Sequence, residues 1–154
     1  MSTIRRARPA DAAAVARVHT RARAARDFTD RVPRDTDEAV WATRLATDEV
    51  ETVVAEAGGE VVAFASATDT GDETLPAEPL LLALYVEPAH QGRGHGAALL
   101  ASVTDAWRAR GARALTLFVH ADNARARAFY ERHGWVPDAG DPDEDDELRY
   151  RRVL

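Results

Sequence analysis

The stretch LLLALYVEPAHQGRGHGAALLASV, residues 80–103, decides the fold. Seven apolar residues in a row, Leu80 to Val86, leave no polar face and predict a buried strand. Pro88 ends it, because proline brings no N–H to a ladder. The loop Gln91-Gly92-Arg93-Gly94-His95-Gly96 follows. Then Ala97, Leu99, Leu100, Val103 and Trp107 recur at helical spacing as far as Gly111, which suits a position just past a helix end. Strand, glycine-rich turn and helix together aim free backbone N–H groups and a helix dipole at an anion. Glycines let the backbone approach such a ligand closely.

Spacing excludes two common anions. A dinucleotide fingerprint requires G-x-G-x-x-G, whereas the glycines here fall as G-x-G-x-G, and no acidic residue ends a following strand at the expected offset. A phosphate-binding G-x-x-x-x-G-K-[ST] loop requires a lysine, and the chain has none.

Further on, HADNARARAFYERHGWV occupies residues 120–136. With Gln91-x-x-Gly94-x-Gly96 before it, this segment resembles the second of two motifs of the GNAT superfamily of N-acetyltransferases. IRRARPADAAAVARVH, residues 4–19, resembles that family's first strand and helix, so the likeness spans nearly the whole chain. It implies an α/β fold with a mixed, mostly antiparallel sheet of about seven strands and helices on both faces. The implied order is one strand, two helices, three antiparallel strands, the core helix, a fifth strand, a helix and two final strands. The fourth and fifth strands would splay to admit a pantetheine arm.

The resemblance also implies roles. Acetyl-coenzyme A would be the co-substrate, with its pyrophosphate against Gln91, Gly92, Arg93, Gly94, His95, Gly96 and Ala97. Leu84, Tyr85 and Val86 would pair with pantetheine as an added strand does. Asn123, Ala126, Phe129 and Tyr130 would complete the coenzyme wall, and Tyr130 would protonate the leaving thiolate. A phenol with a free pKa near 10 can do so if it is helped. Many relatives carry a glutamate on the fourth strand as the base; here that stretch is Leu80-Leu81-Leu82-Ala83. Glu78, His19, Tyr85 and Glu147 remain open as alternatives. His19, Phe28 and Trp41 are the expected acceptor contacts.

Composition sets the outer bounds. A length of 154 residues and a hydrophobic share of 45% predict one globular domain, residues 1–154. The absence of cysteine excludes disulfides, thiolate metal sites and a cysteine nucleophile, and no metal is expected. No apolar run approaches the roughly 18 residues of a membrane span, and the N-terminus lacks the apolar core of a signal peptide, so a cytoplasmic protein is expected. A net charge of −6 argues against nucleic acid as a partner. All 20 basic residues are arginine, a bias of the coding sequence more than of the chemistry.

Locally, Ile4 to Ala7 predicts the first strand, Asp11 a helix N-cap, and Thr36 the cap of a second helix. Val50–Ala55 and Val61–Ala67 predict a hairpin closed by Gly58-Gly59. Asp69–Pro79 reads as a polar loop. Seven acids crowd residues 138–147, a solvated hairpin or an acidic rim for a cationic amine; the spacing does not suit a calcium loop.

The expected activity is acetyl transfer from acetyl-coenzyme A to a primary amine by direct attack in a ternary complex. The alternatives are a non-catalytic acyl-coenzyme A sensor, or a transferase with another acyl donor or a hydroxyl acceptor. A homodimer is a mild expectation from the family.

Overall fold

The computed structural model describes residues 2–25, 38–69, 78–138, 142 and 146–154. Strand β1 (Ser2–Arg6) leads through a 3-10 turn (Pro9–Asp11) into helix α1 (Ala12–Ala24). Helix α2 (Glu38–Leu45) precedes strands β2 (Val50–Ala57), β3 (Glu60–Thr68) and β4 (Leu80–Val86). A second 3-10 turn (Pro88–His90) and helix α3 (His95–Ala109) follow, then β5 (Ala114–His120) and α4 (Ala124–Arg132). Strands β6 (Val136–Pro137) and β7 (Glu147–Val153) finish the chain. The seven strands form one sheet in the order β1-β2-β3-β4-β5-β7-β6, antiparallel except between β4 and β5. The expected fold class and element order are both present.

Alternation along the strands divides the core between two faces. Val53 and Ala55 of β2 point into a cluster with Leu99, Leu100, Val103 and Trp107 of α3 and Leu115, Leu117 and Tyr150 of β5 and β7. Val54, between them, points the other way, into a cluster with Val15 and Val18 of α1, Trp41 of α2, Phe64 and Tyr85. Each valine buried so completely contributes roughly 1.5–3 kcal/mol. No residue of the second cluster comes from β5 or β7. Gly58 (φ +60°) and Gly59 (φ +81°) close the predicted hairpin with the paired left-handed conformation that matches strand twist. Among the described residues, no helix is long and apolar enough to cross a membrane.

Two local readings change. Strand β4 is not uniformly buried: Leu81, Ala83 and Tyr85 are buried, and the residues between them half-buried. Thr36 and most of the 69–79 loop lie outside the described residues. Asp11 stands at the expected N-cap of α1 but makes no side-chain cap bond there. Its carboxylate instead reaches back to the Arg8 amide at 2.6 Å and takes two bonds of 2.8 Å from the Arg5 guanidinium, which also holds Glu56. The bidentate geometry of arginine beats a weaker amide at the helix start.

That pairing should be readable in stability. Hydrogen bonding to Arg5, above all, holds the Asp11 carboxyl below its usual range. A carboxyl with a depressed folded pKa stabilises the fold above its unfolded pKa and loses that contribution as pH falls through the folded one. Asp11→Asn is therefore expected to cost about 2 kcal/mol at neutral pH. The gap to wild type should close below about pH 4, as followed by urea unfolding across pH.

Candidate active site

The site begins where the sheet comes apart. Parallel strands β4 and β5 share one register pair, Leu80 with Thr116, and the Thr116 amide meets the Pro79 carbonyl at 3.0 Å. Beyond that pair the two strands share no further ladder contact. Leu84, Tyr85 and Val86 pair with Ala65, Phe64 and Ala63 of β3 on one side, and their other edge faces the gap. The β3–β4 register shifts between Ser66–Ala83 and Ala67–Leu81, leaving Leu82 as a bulged residue. A free strand edge of this kind accepts an extended ligand as one more strand.

The chain leaves β4 for the start of α3. Gly92 (φ +76°) and Gly94 (φ +86°) hold left-handed conformations, and Gly94 is the N-cap. It has no side chain to cap with, and no acid lies in the first turn. The first amide of the helix to find a carbonyl is that of Ala98, 3.1 Å from Gly94 O. The amides of His95, Gly96 and Ala97 are therefore left to the helix's positive end. Gly96 is not left-handed; a Cβ there would sit 3.5 Å from the Phe129 ring, so its small size serves the contact of α3 with α4.

Cations gather round this helix start. Arg93 Nη1 lies 3.5 Å from His90 Nδ1, and Arg125 Nη1 reaches 3.5 Å from Gln91 Oε1. Burial lowers the pKa of His95, with His90 and Arg93 adding to the effect, so its ring stays neutral. Arg125 was not legible as a site residue. Its only sequence signal is a place two residues after Asn123, and the topology alone brings it beside Gln91.

Helix α4 forms the other wall. Asn123 caps it, its side chain accepting from the Ala126 amide at 3.2 Å. Tyr150, fully buried on β7, accepts from Arg127 Nε and donates to Glu131 Oε1, each at 3.0 Å, and so fastens α4 to the sheet. Burial raises the pKa of that phenol. Tyr130 is half-buried, edge-on to Phe129 at 5.3 Å and to Trp135 at 5.9 Å between ring centres. Leu84, Val86, Ala126, Phe129 and Tyr130 all pack, partly buried, against the same cluster under α3. The predicted coenzyme wall is thus brought together in space.

The predicted acceptor contacts sit differently. His19 and Trp41 are both fully buried. Trp41 Nε1 lies 3.3 Å from His19 Nδ1, and the imidazole rests 4.8 Å from Tyr85 and 6.0 Å from Phe64. As packed, these rings lie in the second core and not on an open acceptor surface. Phe28 lies outside the described residues. Glu78 is taken up by Arg151, through paired bonds, and by Thr116 at 3.2 Å. The Arg151 bonds, above all, lower its pKa and make it a poor base. Of the acidic run, Asp138 is exposed and pairs with Arg149 at 2.6 Å, whereas Glu147 is 4% exposed and is not a solvated charge. Residues 139–141 and 143–145 lie outside the described residues.

The model of the Acetyltransferase (GNAT) family matches residues 18–135. An uncharacterised N-acetyltransferase of Bacillus subtilis, YhfO, is 30% identical over 138 residues, covering 89% of this chain and 91% of its own. The mycothiol acetyltransferase of Beutenbergia cavernae is 50% identical over 54 residues, covering 35% of this chain and 18% of that longer protein. Among solved structures, yncA of Salmonella typhimurium, a putative acetyltransferase determined with its cofactor acetyl-coenzyme A, superposes with a TM-score of 0.83 at 25% identity, covering 100% of this chain and 94% of that one. The chain belongs to the GNAT acetyltransferase family.

Proposed function

We propose that residues 1–154 form one acyltransferase domain that moves an acetyl group from acetyl-coenzyme A to a primary amine by direct attack in a ternary complex. The observation that carries this is the free edge of β4 ending at an uncapped helix start. The two together match a ligand with an extended, amide-bearing arm and a pyrophosphate. In this reading the amides of His95, Gly96 and Ala97, with Arg93 and Arg125, hold the pyrophosphate. Leu84 to Val86 hold the arm, and Tyr130 donates its proton to the departing thiolate. Holding thioester and amine together supplies much of the rate. A chain without cysteine has no thiol to carry a covalent acyl group.

Thermal unfolding with acetyl-coenzyme A is the direct check. Ligand at 100 times its dissociation constant stabilises by about 2.7 kcal/mol, a rise of several degrees for a domain of this size. No shift at millimolar coenzyme would overturn the reading. A second reading, a coenzyme sensor without turnover, draws on the acid-free β4 and the captured Glu78. Release of free coenzyme thiol in the presence of a panel of amines separates the two.

A further inference from the structure

The two strands that bound the gap meet at one backbone pair, Leu80 with Thr116, and beside that pair stands a second, side-chain link. Glu78, just before β4 begins, is half-buried. Its carboxylate takes paired bonds from Arg151 of β7 and one of 3.2 Å from the Thr116 hydroxyl of β5. Thr116 and Arg151 are themselves partners in the β5–β7 ladder. A carboxylate on the β4 side thus holds both neighbouring strands of the other side. Leu115 and Leu117, flanking Thr116, point under α3, so Thr116 and Arg151 point to the opposite face, and the link lies there.

We infer that Glu78 is a positioning residue: through Arg151 and Thr116 it fixes the angle at which β4 and β5 diverge, and so the width of the gap that receives the arm of the coenzyme. The inference rests on the acetyl-coenzyme A reading above. A lone backbone pair acts as a pivot about which the strands can swing. A second attachment beside the pivot stops that motion, and an arginine–carboxylate fork is planar, charged and fixed in geometry. Strand β4, Leu80 to Val86, has no charged side chain with which to make such a link, so it falls to the residue just before the strand. The Arg151 bonds, above all, hold the Glu78 carboxyl below its usual range, so the link is ionised at neutral pH. The other charges acting on the pair are Arg149, on Glu78, and Asp138, on Arg151.

A gap of set width binds an extended arm better than one that must first be drawn to shape, because ordering the strands would otherwise consume binding energy. The head of the coenzyme is indifferent to this. In the proposed reading it lies at the start of α3, past the open end of β4, whereas Glu78 bonds only Arg151 and Thr116 at the closed end. A probe that has the head and lacks the arm therefore reports on the helix start and not on the gap.

The test titrates wild type, Glu78→Gln, Arg151→Met and the double variant with acetyl-coenzyme A and with 3′-phosphoadenosine 5′-diphosphate, the same head without the arm. Glu78→Gln is expected to bind acetyl-coenzyme A about tenfold more weakly and the head with unchanged affinity. The double variant should bind no more weakly than either single one, because each single substitution already breaks the one link. Thr116→Val removes only the hydroxyl bond; it should show the same pattern at smaller size, and it carries the test if loss of the ion pair prevents folding. Thermal unfolding without ligand establishes that each variant is folded. Folded Glu78 variants that bind acetyl-coenzyme A as wild type does, or that lose arm-bearing and armless probes alike, would overturn the role of Glu78 and leave the coenzyme site standing. A wild-type protein that does not bind acetyl-coenzyme A would overturn the coenzyme reading, and the positioning role with it.

Discussion

Tyr130→Phe is expected to lower turnover roughly 10- to 100-fold while leaving coenzyme affinity within about a factor of two. The substitution keeps the ring, and with it the edge-on contacts to Phe129 and Trp135. The helix end is also preserved, because it is the Tyr130 carbonyl that receives the His133 and Trp135 amides. Only the hydroxyl is lost. If that hydroxyl supplies the proton to the departing thiolate, the loss appears in kcat and not in binding. Steady-state kinetics beside calorimetric titration with acetyl-coenzyme A make the split visible. An unchanged kcat would reduce Tyr130 to a packing residue.

Gly94→Val should remove most of the coenzyme binding, by at least about tenfold in affinity. At φ +86° an L side chain costs on the order of 1–2 kcal/mol, and a β-branched one more. Nothing lies within 4 Å of the added Cβ, so the cost is backbone strain and not a clash. The loop relieves it by rotating out of the left-handed region, which turns the amides at the start of α3 away from their common target. Gly58→Val is the matched control, since Gly58 is also left-handed (φ +60°) with open space around it, in the β2–β3 hairpin. It should cost similar stability and leave the affinity for acetyl-coenzyme A intact. Equal affinity in the Gly94 variant would take the loop out of coenzyme binding.

What the sequence discloses here depends on how local the cause is. The Gly58-Gly59 turn, the α3 stripe and its Gly111 stop are set by residues within a few positions of each other, and each formed as read. The bulge at Leu82 was invisible, because seven apolar residues in a row carry no register mark. Asp11 was legible as a helix-start residue, yet its strongest partner, Arg5, is chosen by the tertiary path of β1. His19 showed the same limit: its polar ring gave no sign that Trp41, twenty-two positions away, would take one ring nitrogen and seal it in the core. The two motifs named residues of β4 and α4 that the fold does bring against one cluster, the wall proposed for the coenzyme. Arg125, Tyr150 and the β5–β7 face depend on which strands meet, and no local pattern reports that.

The single Leu80–Thr116 pair has a consequence for how the domain holds together. Four strands lie on one side of it and three on the other, and the backbone ladder between the two halves is one rung long. Cohesion across the seam then falls to side chains, mainly those that α3 and α4 gather beneath it. An extended ligand laid along β4 would supply the missing rungs and fuse two cooperative units into one. If the co-substrate lies there as proposed, it would also be a structural member, and each departure would reopen the seam to its single rung.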